Sequence, residues 1–96
     1  MNENYYQLVV LTNQINLKFM PIKLKMLAVG DHGKIIGFEK SGKAYRKRLL
    51  AMGLIPGTEF IITRFAPLGD PVEIKIRGFS LTLRKNEASI LLIEKI

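Results

Sequence analysis

The chain has 96 residues, of which 48% are hydrophobic and 24% charged, a composition typical of one small globular domain with a modest core. It contains no cysteine and a single histidine, which excludes disulfides, thiol chemistry, iron–sulfur clusters, Cys-based zinc sites and a His-pair metal site within one chain. The formal net charge of +7 favours nucleic acid, a membrane surface or an acidic protein face as a partner, without choosing among them.

Residues 1–25 are predicted to form an N-terminal extension outside the core fold. They contain no glycine, and residues 5–11 are apolar enough for either a strand or a weak helical stripe. No apolar run reaches the roughly 20 residues needed to span a bilayer, and no basic segment precedes residues 5–11 as a secretory signal requires. The sequence therefore predicts a soluble protein without direct membrane insertion.

From residue 27 onward, turn residues divide the chain into short elements. A turn at 30–33 precedes a predicted strand over 34–38. Ser41 is placed to cap a helix over 43–52, and Gly53 is placed to end that helix in the left-handed conformation. Further strands are predicted over 59–66, 72–76, 79–83 and 91–96, with a turn at 86–89.

The two strands around Arg77 and Gly78 fix their own register. Apolar residues alternate with polar ones at 72, 74 and 76, and again at 79, 81 and 83. A two-residue turn pairs Ile76 with Phe79 and places both apolar sets on one face. Five short strands favour closure, which protects strand edges. The predicted fold class is mostly β, a small five-stranded SH3-like barrel with one short helix.

Residues 37–43 match the phosphate-loop pattern GxxxxGK, but this match is weak evidence for nucleotide binding. Position 44 is alanine where the pattern needs Ser or Thr for magnesium, and the chain is too short for the parallel sheet behind such a loop. A strand–turn–helix connection is the better interpretation, so no cofactor is predicted. The acidic residues are scattered without the spacing of a general acid and base, and no catalytic or metal-binding residue is predicted.

Two surfaces are candidates for binding a partner. The first is the predicted helix, whose basic residues 43 and 46–48 suit either a solvated face or contact with an anionic partner. The second combines the proline-stiffened loop 66–71 with the following hairpin, where an apolar tip would make a rigid contact. Tyr45 and Phe79 have an alternative role in the core, and Asp70 an alternative role in a turn. The candidate residues are Tyr45, Arg46, Arg48, Leu54, Leu68, Asp70 and Phe79.

Three separated motifs stand in a recognisable order: residues 48–57 (RLLAMGLIPG), 66–71 (APLGDP) and 81–88 (LTLRKNEA). Together they resemble the ferrous iron transport protein A (FeoA) family. The resemblance covers residues 26–96, which are predicted to form one FeoA-like domain, and leaves residues 1–25 without a counterpart.

The resemblance implies a small cytoplasmic SH3-like protein of bacteria that works with a FeoB-type ferrous iron permease, a membrane protein with a cytosolic GTP-binding domain. The predicted function is therefore a non-enzymatic accessory or regulatory protein of ferrous iron uptake that binds the cytosolic part of this permease. Two alternatives stay open. One is a nucleic-acid-binding small β barrel, suggested by the net charge. The other is a weak transition-metal carrier, with His32 and Asp31 among its ligands.

Overall fold

A computed structural model of the protein describes residues 20–96, which form one five-stranded antiparallel sheet and two short helices. The strands are β1 (His32–Phe38), β2 (Glu59–Phe65), β3 (Val72–Ile76), β4 (Phe79–Leu83) and β5 (Leu91–Lys95). The helices are α1 (Lys43–Ala51) and the single turn α2 (Lys85–Ala88). The predicted mostly β class with five strands is confirmed, although α2 replaces the turn predicted at 86–89. The prediction for residues 5–11 lies outside the described residues.

The strands lie in the order β4-β3-β2-β1-β5. The first four strands therefore pair with their sequence neighbours, whereas β5 returns across the domain to pair with β1. The register shifts between Ile35 and Gly37 on β1 and between Ile62 and Arg64 on β2. Because such irregularities bend a strand and increase its twist, they let a small sheet curve around its core.

The β3–β4 hairpin has the predicted register, with Ile76 opposite Phe79. Its two turn residues, Arg77 and Gly78, have φ values of 46° and 88°. Positive φ at both positions is the geometry of the primed turn, whose twist matches that of paired strands. The inward alternation of β3 follows directly, since Val72, Ile74 and Ile76 are all buried.

The core is built from aliphatic side chains of all the strands, joined by Leu49 from α1. Tyr45 and Met52, on the same side of α1 as Leu49, pack partly against this cluster. The predicted apolar stripe of the helix is thus confirmed. Since Leu49 is the buried residue of α1, the helix is anchored mainly by this leucine and by polar contacts at its surface.

The fold begins before the predicted boundary at residue 26. Ile22 N donates a hydrogen bond to Ile93 O at 2.8 Å, and Ile93 N donates to Ile22 O at 2.9 Å. Leu24, in a 3-10 turn over Leu24–Met26, is 1% exposed and belongs to the core. The assignment of residues 1–25 to an extension is therefore wrong for residues 22–25. One buried leucine between lysines is too short a pattern to reveal a packed segment.

The approach to α1 is governed by packing. Gly42 is the N-cap of the helix, whereas Ser41 lies in a preceding 3-10 turn over Lys40–Gly42 and does not cap the helix. A Cβ added to Gly42 would lie 2.3 Å from Cγ2 of Ile90, closer than any real contact. The glycine of the phosphate-loop pattern is thus explained by contact with a buried isoleucine, which agrees with the strand–turn–helix interpretation.

Candidate partner-binding surface

Tyr45 and Arg46 of α1 are half-buried, and each contacts a side chain of another segment. The Arg46 guanidinium carbon lies 6.0 Å from the centre of the Phe38 ring, a cation–π contact. Arg46 Nε is buried and makes no hydrogen bond with any residue in the described part of the chain. The Tyr45 hydroxyl accepts a long hydrogen bond of 3.4 Å from Asn86 Nδ2. Arg46 therefore also holds α1 against β1, and Tyr45 joins α1 to α2.

Arg48 joins α1 to α2 through the buried carboxylate of Glu87. Arg48 Nε lies 3.2 Å from Glu87 Oε2, and the two side chains are 70% and 6% exposed. The other carboxylate oxygen, Oε1, accepts a 2.9 Å hydrogen bond from Arg84 N at the start of α2. Because Arg48 is largely solvated, the ion pair contributes about 1 kcal/mol or less. Most of the Arg48 side chain is nevertheless accessible to a partner.

The prediction that Leu54 contacts a partner is wrong, because Leu54 is 0% exposed and lies in the core. Gly53, with φ of 94°, turns the chain back beneath the helix. Leu54 N then donates a 3.0 Å hydrogen bond to Leu49 O. This turn places Leu54 beneath α1 and away from solvent.

The loop 66–71 is closed by its own hydrogen bonds and presents Leu68 to solvent. Gly69 N donates to Ala66 O at 2.7 Å, and Ala66 N donates to Pro71 O at 2.9 Å. Asp70 Oδ1 accepts a 2.9 Å hydrogen bond from Lys85 N, which ties the loop to α2. The backbone is therefore fixed while the Leu68 side chain at its tip is 96% exposed.

A groove of 420 Å³ lies beside this loop, and we call it the loop groove. Its lining is largely apolar, with a basic rim. Lys23 on this rim is occupied, because its Nζ donates to Ser89 O at 2.6 Å and pairs with Glu39 Oε2 at 2.5 Å. Lys25 and Lys85 make no salt bridge with a described residue. The apolar lining is Leu24, Phe65, Leu68, Val72 and Ala88, and the charged residues on it are Lys23, Lys25, Asp70 and Lys85.

The structure divides the predicted second surface. Leu68 and Asp70 line the loop groove, whereas Phe79, 47% exposed at the hairpin, does not. Sequence reasoning missed Leu24 and Lys25, which come from a segment distant in sequence, and Phe65, which directly precedes the loop. Residues 22–25 alternate apolar residues with lysines, but four residues are too few to predict one wall of the groove.

Asp31 and His32, the suggested ligands of a metal carrier, do not come together with other ligand side chains. Asp31 Oδ2 accepts a 2.8 Å hydrogen bond from Ala28 N and lies 3.6 Å from Lys95 Nζ. The hydrogen bond from Ala28, helped by Lys95, lowers the pKa of Asp31. Residues 20–96 contain no group of three or more His, Cys, Asp or Glu side chains that could hold a metal ion.

The same residues contain no helix long and apolar enough to cross a bilayer. The curved five-stranded sheet with a short helix and a lysine-rimmed groove defines a small SH3-like β module. The sequence pattern of the FeoA domain matches residues 22–95. The chain therefore belongs to the FeoA family, and the resemblance of the three motifs is confirmed.

Similar proteins agree with this membership. The Fe(2+) transport protein A/Fe(2+) transporter FeoB fusion protein of Porphyromonas gingivalis is 35% identical over 75 residues, which are 78% of this chain and 9% of that protein. The NMR structure of a FeoA-like protein from Clostridium acetobutylicum has a TM-score of 0.73 and 38% identity, covering 80% of this chain and 88% of the other.

A third comparison concerns the fold alone. The crystal structure of Stenotrophomonas maltophilia FeoA complexed with zinc, described as an SH3 domain protein, has a TM-score of 0.63 at 20% identity. It covers 75% of this chain and 88% of that one. The SH3-like class predicted from the strand pattern is therefore confirmed.

Proposed function

We propose that this protein is a non-enzymatic accessory protein of ferrous iron uptake that binds a FeoB-type iron permease from the cytoplasmic side. The observation that carries the proposal is the Porphyromonas gingivalis relative, in which the homologous module and FeoB form one polypeptide. Joining two modules by a linker raises their effective concentration to about the millimolar range. Such a fusion is useful when the modules act on each other, and we infer the same contact for this module.

The loop groove supports a protein partner. Leu68 is held at the tip of a hydrogen-bonded loop, so binding would bury this side chain without ordering a flexible backbone first. Lys25 and Lys85 on the rim suit an acidic residue beside the apolar contact of the partner. We assign direct contact to Leu68 and loop positioning to Asp70, and we keep Tyr45, Arg46, Arg48 and Phe79 as candidates.

The test is calorimetric titration of this protein into full-length FeoB from the same genome, held in lipid nanodiscs. The titration is repeated with GDP and with a non-hydrolysable GTP analogue, each at low and moderate salt. We expect micromolar or tighter binding that persists at moderate salt, and a preference for one nucleotide would indicate regulation of the GTP-binding domain. Absence of binding in every condition would reject the proposal. A parallel titration into duplex DNA tests the alternative of a nucleic-acid-binding β barrel. That alternative requires an affinity for DNA that falls steeply as the salt concentration rises.

A further inference from the structure

The two edges of the sheet are treated differently by the fold. The outer edge of β5 is covered where Ile22 exchanges two hydrogen bonds with Ile93. The opposite edge belongs to β4, which is last in the strand order. Within residues 20–96, no main-chain hydrogen bond joins residues 79–82 to any segment other than β3. Among residues 20–96, one edge is thus paired at Ile93 and the other is unpaired.

The open edge has a definite pattern of donors and acceptors. In a hairpin with a two-residue turn, the residues flanking the turn form a hydrogen-bonded pair, and alternate pairs follow along the strands. Ile76 and Phe79 flank the turn, and the register continues without a shift to Val72 and Leu83. Phe79, Leu81 and Leu83 therefore bond to β3. The N–H and C=O groups of Ser80 and Thr82 point away from the sheet.

β4 also lacks the features that usually block an open edge. Proteins prevent unwanted pairing with lysine, proline, bulges or inward-pointing charges on edge strands. The sequence of β4, FSLTL, contains none of these residues, and its register with β3 is continuous. Ser80 and Thr82 are exposed, and Phe79 retains 47% of its surface in solvent. The sequence of β4 therefore does not oppose an incoming strand, and the exposed part of the Phe79 ring is available to it.

The charge around the edge selects the kind of strand that fits. Lys75, Arg77 and Arg84 lie around β4 and make no salt bridge with a carboxylate of the described residues. Glu73, opposite Thr82, is the acidic residue of β3, so the basic residues outnumber it. A second copy would bring a further net charge of +7 and the same basic residues to this edge. Like charges oppose such pairing, whereas an acidic segment is attracted.

We propose that β4 is a docking edge on which an extended, acidic segment of the permease adds a sixth strand to the sheet. Main-chain bonds to Ser80 and Thr82 would supply affinity, as in other cases of strand addition. Phe79 would supply an apolar contact at one end. This inference rests on the proposed function and specifies how part of the partner is bound.

Hydrogen exchange read at single residues, by mass spectrometry with electron-transfer fragmentation, tests the edge in the wild-type protein. In the free protein the amides of Ser80 and Thr82 should exchange rapidly, while those of Leu81 and Leu83 are protected by β3. Addition of nanodisc-embedded FeoB should slow exchange at Ser80 and Thr82 at least about tenfold, since new main-chain bonds form there.

A pair of variants provides an independent measurement. Thr82→Pro removes an outward N–H that β3 does not use, and proline is tolerated on edge strands. Thr82→Ala removes the side chain and keeps the N–H. We expect Thr82→Pro to weaken FeoB binding at least about tenfold, because the variant loses a main-chain hydrogen bond and the proline ring blocks the incoming strand. Thr82→Ala should bind FeoB with an affinity close to that of the wild type. Thermal unfolding shows whether both variants fold.

The outcomes separate the two proposals. If FeoB binds in the calorimeter but amide exchange at Ser80 and Thr82 does not change, the proposal of a docking edge is overturned and the proposed function is left intact. No binding of FeoB overturns both. Protection that rises with the concentration of the protein itself, in the absence of FeoB, assigns the edge to a second copy and rejects the acidic segment.

Discussion

Replacing Leu68 with alanine tests whether the exposed loop tip binds the permease. Leu68 is 96% exposed in the free protein, so the whole side chain is available for burial on binding. Burying a leucine side chain contributes roughly 1.5–3 kcal/mol, and alanine keeps only the first methyl group. The expected loss of binding free energy is about 2 kcal/mol, equivalent to an increase of about 30-fold in Kd. The free energy of unfolding should change by less than about 0.5 kcal/mol, because Leu68 is not part of the core.

The assay is calorimetric titration of Leu68→Ala into nanodisc-embedded FeoB, with thermal unfolding of the free variant. Val29→Ala is the matched control, since Val29 is apolar, 59% exposed and absent from the loop groove. The control should bind as the wild type does. An unchanged Kd for Leu68→Ala would refute the contact, and a large fall in the thermal midpoint would show that Leu68 supports the fold.

Leu54→Ala should lower the free energy of unfolding by about 2–5 kcal/mol, measured by urea denaturation, because it opens a cavity in the core; a near-neutral effect would restore Leu54 as a surface residue. Gly42→Ala should destabilise the domain by about 1–3 kcal/mol through overlap with a buried side chain. Gly37→Ala, whose added Cβ would lie 3.8 Å from its nearest neighbour, should cost less in the same assay; equal losses would reject the packing explanation. Asp31→Ala should destabilise the protein most above the ordinary carboxyl pKa of 3.8, since the pKa of Asp31 is lowered in the folded state. The difference from wild type should disappear as pH falls through the lowered pKa, and a difference that is constant down to acid pH would contradict this reasoning.

The local features of the fold were predictable because short-range chemistry determines them. The two-residue turn at Arg77 and Gly78, together with the alternation of apolar residues around it, predicted the register of one hairpin. The positive φ values of both turn residues agree with the primed turn that this register requires. Gly53 has the positive φ expected at a helix end. The exposure expected for Leu68 at the loop tip also holds, because two prolines and a glycine confine the loop to the surface.

The long-range features were not predictable from these patterns. A leucine after a helix-ending glycine can lie on the surface or in the core. For Leu54, the direction that the chain takes after Gly53 decides between these two positions. The role of Gly42 depends on Ile90, which is distant in sequence. Leu24 is buried because β5 offers a partner for Ile22, and no local signal in residues 22–25 reports that partner. Leu68 and Asp70 of the loop groove were therefore predicted, whereas the wall formed by residues 23–25 was missed.

The return of β5 to the β1 edge has a consequence for how the domain is assembled. Gly33 pairs with Lys95, so this contact joins parts of the chain that are far apart, whereas the other strand pairings are between sequence neighbours. Pairings of low sequence separation form faster, because less loop entropy is lost. During folding the β1–β4 meander can therefore form before Leu91–Lys95 pairs with β1. Until then β1 has no partner on one side and Ile22 has no strand to join. The pairing of β5 with β1 thus protects two separate parts of the domain from chaperones and proteases in a single late step.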